Sequence, residues 1–318
     1  MATAVLEKRA TGISSQTADA IARLVVLVFA ATVLLISLLL IYELWIGSAP
    51  SRHKLGWSFI TSSMWNPVSE EFGALPFIYG TVITSFIALL ISVPLGVGAA
   101  IFLSEMAPAG ISNALTFLVE LLAAIPSVIY GLLAIFTLVP LMRSYGEPFL
   151  KDTLGFLPLF KGPAFGVGFL TAGMILAVMT FPFIISVSRE SLLAVPRDQR
   201  EAALALGSTK WETTWKVVVP YAKLGIIGSI FLGLARALGE TMAVTMVIGN
   251  DPSIHASLLA PGYSIAAVIA NEFTEATGSV YPSALVELGL VLFCLTIVIN
   301  GLARLMIIAT TRKGSKRP

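Results

Sequence analysis

Residues 195–220, VPRDQREAALALGSTKWETTWKVVVP, form a polar island in a chain that is otherwise strongly apolar. Pro196 suits a first helical turn, Asp198 and Glu201 favour the positive helix start, and EAALAL is a run of strong helix formers. Gly207 ends that helix. Thr209 followed by Glu212 has the spacing of a capping box, so a second helix starts there and carries Trp211 and Trp215 one turn apart. The stretch therefore predicts a short helix, a glycine turn and another helix, a structured element too regular for a linker.

On either side of this island the chain belongs in a bilayer. Hydrophobic residues make up 57% of the 318 residues and charged residues 12%. That is roughly half the charge of a soluble domain, so water cannot solvate most of the surface. Apolar runs at Leu24–Ile46, Phe77–Leu103, Leu115–Leu141, Phe165–Val187, Leu224–Ile248 and Leu285–Ile308 are each long enough to cross roughly 30 Å of hydrocarbon as a helix. The fold class expected is all-α, a polytopic membrane protein with six transmembrane helices. The first run lacks a small-x-small cleavage site and reads as a retained anchor. Pro94, Pro126 and Pro182 fall inside spans and predict kinks.

The charge inventory excludes several functions. A net charge of +2 with no basic and aromatic interleaving argues against nucleic acid. One cysteine, Cys294, and two histidines, His53 and His255, leave no disulfide, cysteine-based metal site or histidine cluster. No GxxxxGK[ST] loop is present, so no metal or nucleotide cofactor is expected in this chain and it is not read as a catalyst. With the N-terminus inside, 14 of the 20 Lys and Arg residues lie in inner segments and 5 in outer loops. The positive-inside rule then places both termini in the cytoplasm. The expected organisation is a cytoplasmic tail at 1–20, an anchor and outer loop at 21–76, a five-helix core at 77–310 with its inner loop at 189–223, and a basic tail at 311–318.

Within the fifth run, LARALGETMAV places Arg236 and Glu240 near mid-span, on one helix face about one turn apart, where they can pair. Ionisable groups at that depth are costly and mark transport paths or structural ion pairs. The planar arginine fork donates two parallel hydrogen bonds to an oxyanion. Inorganic phosphate near neutral pH keeps a hydroxyl that a glutamate accepts, whereas sulfate keeps none. Glu43 and Glu287, near span ends, are expected to snorkel to the interface. The outer loop at 249–273 has an apolar centre suited either to re-entering the membrane or to receiving a partner.

The inner loop resembles the EAA loop of binding-protein-dependent ABC importer permeases, through Glu201, Ala202, Ala203, Gly207 and Pro220 at that family's spacing. Val217 and Val219 stand where Ile and Leu are usual. RALGETMAV with TMVIGN, and also WNP, FGALPFIYGT and FLSEMAP, are similar to the C-type permeases of bacterial phosphate-specific transport systems, over most of the chain from Trp57. The resemblance implies a type I ABC importer permease (MetI-like) fold in the bacterial cytoplasmic membrane. It also implies import of inorganic phosphate with a related A-type permease as heterodimer partner, two ATPase subunits that bind ATP and Mg, and an extracytoplasmic phosphate-binding protein. Arg236 and Glu240 would be the pathway charges and the EAA residues the contact with the ATPase. Glu120, in the third run, would join a pathway network, pairing with Arg236, with ATPase-facing elements or with interfacial water. Import of sulfate, molybdate or a peptide is the alternative within the class; outside it, an ion-coupled secondary transporter leaves the EAA loop unexplained, and a structural scaffold leaves Arg236 unexplained.

Overall fold

The computed structural model describes residues 15–314. Residues 1–14 and 315–318, which hold most of the two expected tails, lie outside the described residues. The chain divides into two compact units, one ending at Gly47 and one beginning at Ser48. The first is a single helix, α1 (Ser15–Gly47), most of whose described apolar side chains are exposed, with Ile41 and Leu44 half-buried. Its two central hydroxyls cause no loss in hydrocarbon, because Thr32 Oγ1 and Ser37 Oγ donate to the Val28 and Val33 carbonyls at 2.8 and 2.9 Å.

The second unit runs α2 (Ala49–Leu55), a two-stranded hairpin pairing Trp65–Asn66 with Glu71–Phe72, α3 (Leu75–Met106), α4 (Ala109–Ala124), α5 (Ser127–Leu154), α6 (Phe169–Leu193), α7 (Arg197–Ala205), α8 (Lys210–Gly239), α9 (Met242–Val247), α10 (Ile265–Glu272) and α11 (Val280–Gly314). With α1, the helices long and apolar enough to cross a membrane number six among the described residues. The expected count holds, and several boundaries do not, most of all in the third and fifth spans. Ile125 is extended, as the residue before Pro126 must be, so the third run breaks there: Ala109–Ala124 is a separate short helix and the span is Ser127–Leu154. Pro126 thus separates two helices instead of kinking one. The fifth span starts at Lys210, fourteen residues earlier than its apolar run, because the second helix of the polar island continues into it. It also ends early, at Gly239.

Four widened turns share one cause. Phe102–Met106, Ala134–Leu138, Met142–Gly146 and Thr214–Val218 each form a π turn, and each ends two residues before a proline: Pro108, Pro140, Pro148 and Pro220. In each case the residue before the proline donates its N–H five residues back, as Val219 does to the Thr214 carbonyl. A proline ring crowds the carbonyl four residues behind it and donates nothing, and widening the preceding turn relieves the crowding.

The core is built on α3 against α6. A Cβ at Gly173 would lie 2.5 Å from Ile87 Cγ2, and one at Gly96 would lie 2.8 Å from Ile184 Cγ2, so each helix lets an isoleucine of the other reach its backbone. Around that seam Ile87, Phe169, Ile175, Leu176 and Met179 pack with Val244 and Val247 of α9. At the α7 end Ile101, Leu192, Val195 and Val218 form a second cluster. At the opposite end the loop after α9 caps α6: the Gly168, Phe169 and Leu170 amides donate to the Val247, Ala260 and Leu258 carbonyls at 3.0, 3.2 and 2.8 Å. The apolar centre of that loop becomes α10, whose Ile265, Ala267 and Val268 are fully buried against the bundle.

Gly173→Val overpacks this seam and should cost about 1–3 kcal/mol. The check is thermal melting of the purified protein in detergent, where Gly173→Val lowers the midpoint and Gly98→Ala, with open space around its Cβ, does not.

Candidate functional site

The polar island folds as its sequence requires. α7 closes at Ala205, and Gly207 takes φ +86°, with the Ser208 amide reaching back to the Ala203 carbonyl at 3.3 Å. Thr209 and Glu212 make the reciprocal capping box: the Glu212 amide donates to Thr209 Oγ1 at 3.2 Å and the Thr209 amide to Glu212 Oε2 at 3.0 Å. Trp211 and Trp215 meet edge-on, ring centroids 5.6 Å apart. Glu201, Ala202, Gly207 and Pro220 are exposed, and Ala203 turns inward. Beside them Leu206 is 90% exposed, with Leu204 and Trp211 about half exposed. These side chains form an exposed apolar ridge on an otherwise polar loop.

Two residues that motif reading does not single out hold the loop to the bundle. Arg200 donates to both carboxylate oxygens of Glu105, from Nη2 at 2.8 Å and Nε at 3.3 Å, and also to the carbonyls of Leu192, at 2.7 Å, and Val195. Glu105 stands in the π turn that ends α3. The signal was present in FLSEMAP as a charge at the end of an apolar run, but its partner is 95 residues away.

Deeper in the bundle, Arg236 lies in the last turn of α8. Its guanidinium carbon stands 4.5 Å above the Phe183 ring of α6, the side chain as a whole is partly buried, and its Nε is buried without a hydrogen-bond partner. One donor of the guanidinium is therefore unspent. Glu240 is not on the same helix face. The helix stops at Gly239, Glu240 is extended at ψ 128°, and its carboxylate accepts a long 3.4 Å bond from the Ala243 amide at the start of α9. Among the described residues no ion pair joins Arg236 to Glu240, which removes the reading of the two as a structural salt bridge.

The structure moves two other carboxylates. Glu120 belongs to α4 and not to a span, is exposed, and takes part in none of the ion pairs among the described residues. Glu287 does not snorkel: it is 6% exposed, facing Ser51 and Arg52 of α2, because α2 packs over the start of α11. Glu43 on α1 is exposed. His255 pairs at 3.5 Å with Asp251, and although burial opposes it, hydrogen bonds from Ser253 and the His255 contact hold the Asp251 carboxyl below its ordinary range.

Residues 92–308, running from within α3 to the last span, match the family described as binding-protein-dependent transport system inner membrane component. The chain belongs to that family. Among curated permeases of the family, a phosphate transport system permease protein PstC from Xylella fastidiosa is 52% identical over 85% of this chain and 84% of its own length. The PstC protein of Mesorhizobium japonicum is 49% identical over 87% of both chains. A probable PstC from Methanocaldococcus jannaschii is 37% identical over 80% of this chain and 82% of its own length. Among solved structures, an inward-facing form of the MetNI methionine ABC transporter superposes with a TM-score of 0.55 at 18% identity, over 77% of this chain and 99% of that one, a likeness of fold. The protein is thus a multi-pass inner-membrane ABC permease subunit with the MetI-like fold, a transporter component and not an enzyme.

Removing the permease loop's capping box tests its local stability. Thr209→Ala should cost about 1 kcal/mol, seen by hydrogen exchange as roughly fivefold faster opening at the Glu212 amide with α3 and α6 unaffected.

Proposed function

We propose that this permease carries inorganic phosphate into the cytoplasm, with Arg236 and Glu240 on the path and the loop at residues 195–220 docked on a separate ATPase. The observation that carries the substrate reading is the guanidinium of Arg236, stacked on Phe183 of α6 with its buried Nε donor unspent. Arg236 draws the oxyanion into the bundle through parallel hydrogen bonds. Glu240, unpaired with Arg236, accepts the hydrogen bond of the phosphate hydroxyl, a contact sulfate cannot make near neutral pH. Roughly half identity to permeases named for phosphate transport supports the same assignment.

The rest of the machine is supplied by partners. A single chain presents one set of path charges, and a related A-type permease completes the path as heterodimer partner. Two ATPase subunits bind ATP and Mg, and an extracytoplasmic phosphate-binding protein delivers substrate at the face holding the loop after α9. The exposed ridge of Leu204, Leu206 and Trp211, beside Glu201, Ala202, Gly207 and Pro220, is the ATPase contact. This reading places the α7 end and both termini in the cytoplasm, in keeping with the excess of Lys and Arg there. Glu120 on the exposed face of α4 is assigned to partner contact rather than to the path.

The test is uptake of labelled phosphate into proteoliposomes holding the four components, with sulfate as competitor. The expected flux requires ATP, resists sulfate, and falls roughly tenfold or more in Arg236→Gln, since each lost charge-assisted hydrogen bond is worth roughly 1.5–3 kcal/mol. Glu240→Gln should lower flux and weaken discrimination against sulfate. Undiminished flux in both assembled variants would reject the pathway assignment, and flux without ATP would favour an ion-coupled carrier.

A further inference from the structure

The loop at residues 195–220 joins α6 to α8 through the chain itself, yet it also grips α3, with which it has no direct covalent connection. We propose that the Arg200–Glu105 pair is a positioning link that passes movement of this loop into α3, so that α3, α6 and α8 shift together when the ATPase closes. The proposal rests on the reading of the loop as the ATPase contact.

Arg200 of α7 reaches a residue 95 positions away in the chain, and it does so through two hydrogen bonds. Its guanidinium fork spans both oxygens of Glu105, and the two side chains are only 19% and 8% exposed. A bidentate pair of this kind fixes an angle as well as a distance, unlike an exposed salt bridge. The same guanidinium also bonds the Leu192 and Val195 carbonyls, where α6 gives way to the loop. One side chain therefore ties α7 to the ends of both α3 and α6.

The apolar contacts beneath it, Ile101 with Leu192, Val195 and Val218, resist separation but are poor at resisting sliding. The fork supplies the direction they lack. Leu204, one turn beyond Arg200 in α7, and Leu206, just past the helix end, are exposed, so a load applied to the ridge is taken up through Arg200. Glu105 receives it inside the Phe102–Met106 π turn, a turn whose hydrogen-bond pattern is already adapted to Pro108. Since α3 and α6 interlock at Gly96 and Gly173, displacement of the α3 end is passed along the seam and not absorbed locally.

The test compares phosphate uptake with ATP hydrolysis in the same reconstituted importer, for the unmodified chain, Glu105→Gln, and the charge-exchanged pair Glu105→Arg with Arg200→Glu. Glu105→Gln leaves Arg200 its two carbonyl acceptors and should assemble. The expected result is an uptake per ATP hydrolysed about tenfold below the unmodified importer, as loss of one charge-assisted pair implies, with the exchanged pair recovering part of that ratio. A contact needed only for folding would lower uptake and hydrolysis in proportion and leave the ratio unchanged, which overturns the proposal. If Glu105→Gln does not assemble, the exchanged pair decides: assembly without recovered coupling also overturns it. Uptake by the unmodified importer without ATP would instead reject the underlying reading, an outcome distinct from a normal ratio in Glu105→Gln.

Discussion

Hydrocarbon offers no hydrogen bonds, so each backbone amide and carbonyl in the bundle must find its partner within the protein, and most irregular features of this structure answer to that constraint. The first amides of α6 are taken by carbonyls of the loop after α9. The Gly166 amide, just ahead of α6, donates to Glu147, a carboxylate with 1% exposure. The Ile265 amide at the start of α10 donates to Thr81 Oγ1 of α3 at 2.9 Å. Before Pro140, Pro148 and Pro220 the turn widens, whereas Pro94 and Pro182 stand in unbroken α-helix. Irregular backbone is tolerated here because it is enclosed by protein.

Side chains are satisfied less completely than the backbone: Arg236 Nε of α8, beside the Phe183 ring of α6, is one of several buried polar atoms without a partner, Arg189 Nε among them. The stacking on Phe183 offsets part of the cost of holding a cation there without neutralising it.

Much of this was legible in the sequence, and the errors have physical reasons. Apolar runs longer than about 18 residues report the hydrocarbon thickness directly, which is why all six spans could be read. The loop at residues 195–220 was legible residue by residue, since Gly207 and the Thr209–Glu212 box act through neighbouring backbone. Span boundaries were not, because hydropathy is blind to Pro126 dividing one apolar run into two helices and to a polar helix continuing into α8. Glu240 was misplaced for the same reason, as a run of apolar residues does not reveal that the helix stops at Gly239. Glu287 and the Arg200–Glu105 pair depend on chain segments brought together only by folding, and one sequence carries no mark of that.

The π turn before Pro220 has a geometric consequence beyond relieving a ring. An ordinary helix advances about 100° per residue, and a turn that accommodates one residue more sets everything beyond it out of phase by about that angle. Trp211 and Arg236 lie on opposite sides of this turn within one continuous span. The compass bearing of Arg236, relative to the exposed ridge of the loop, is therefore stored in a single proline, which acts less as a hinge than as a keyway that clocks one end of the shaft against the other.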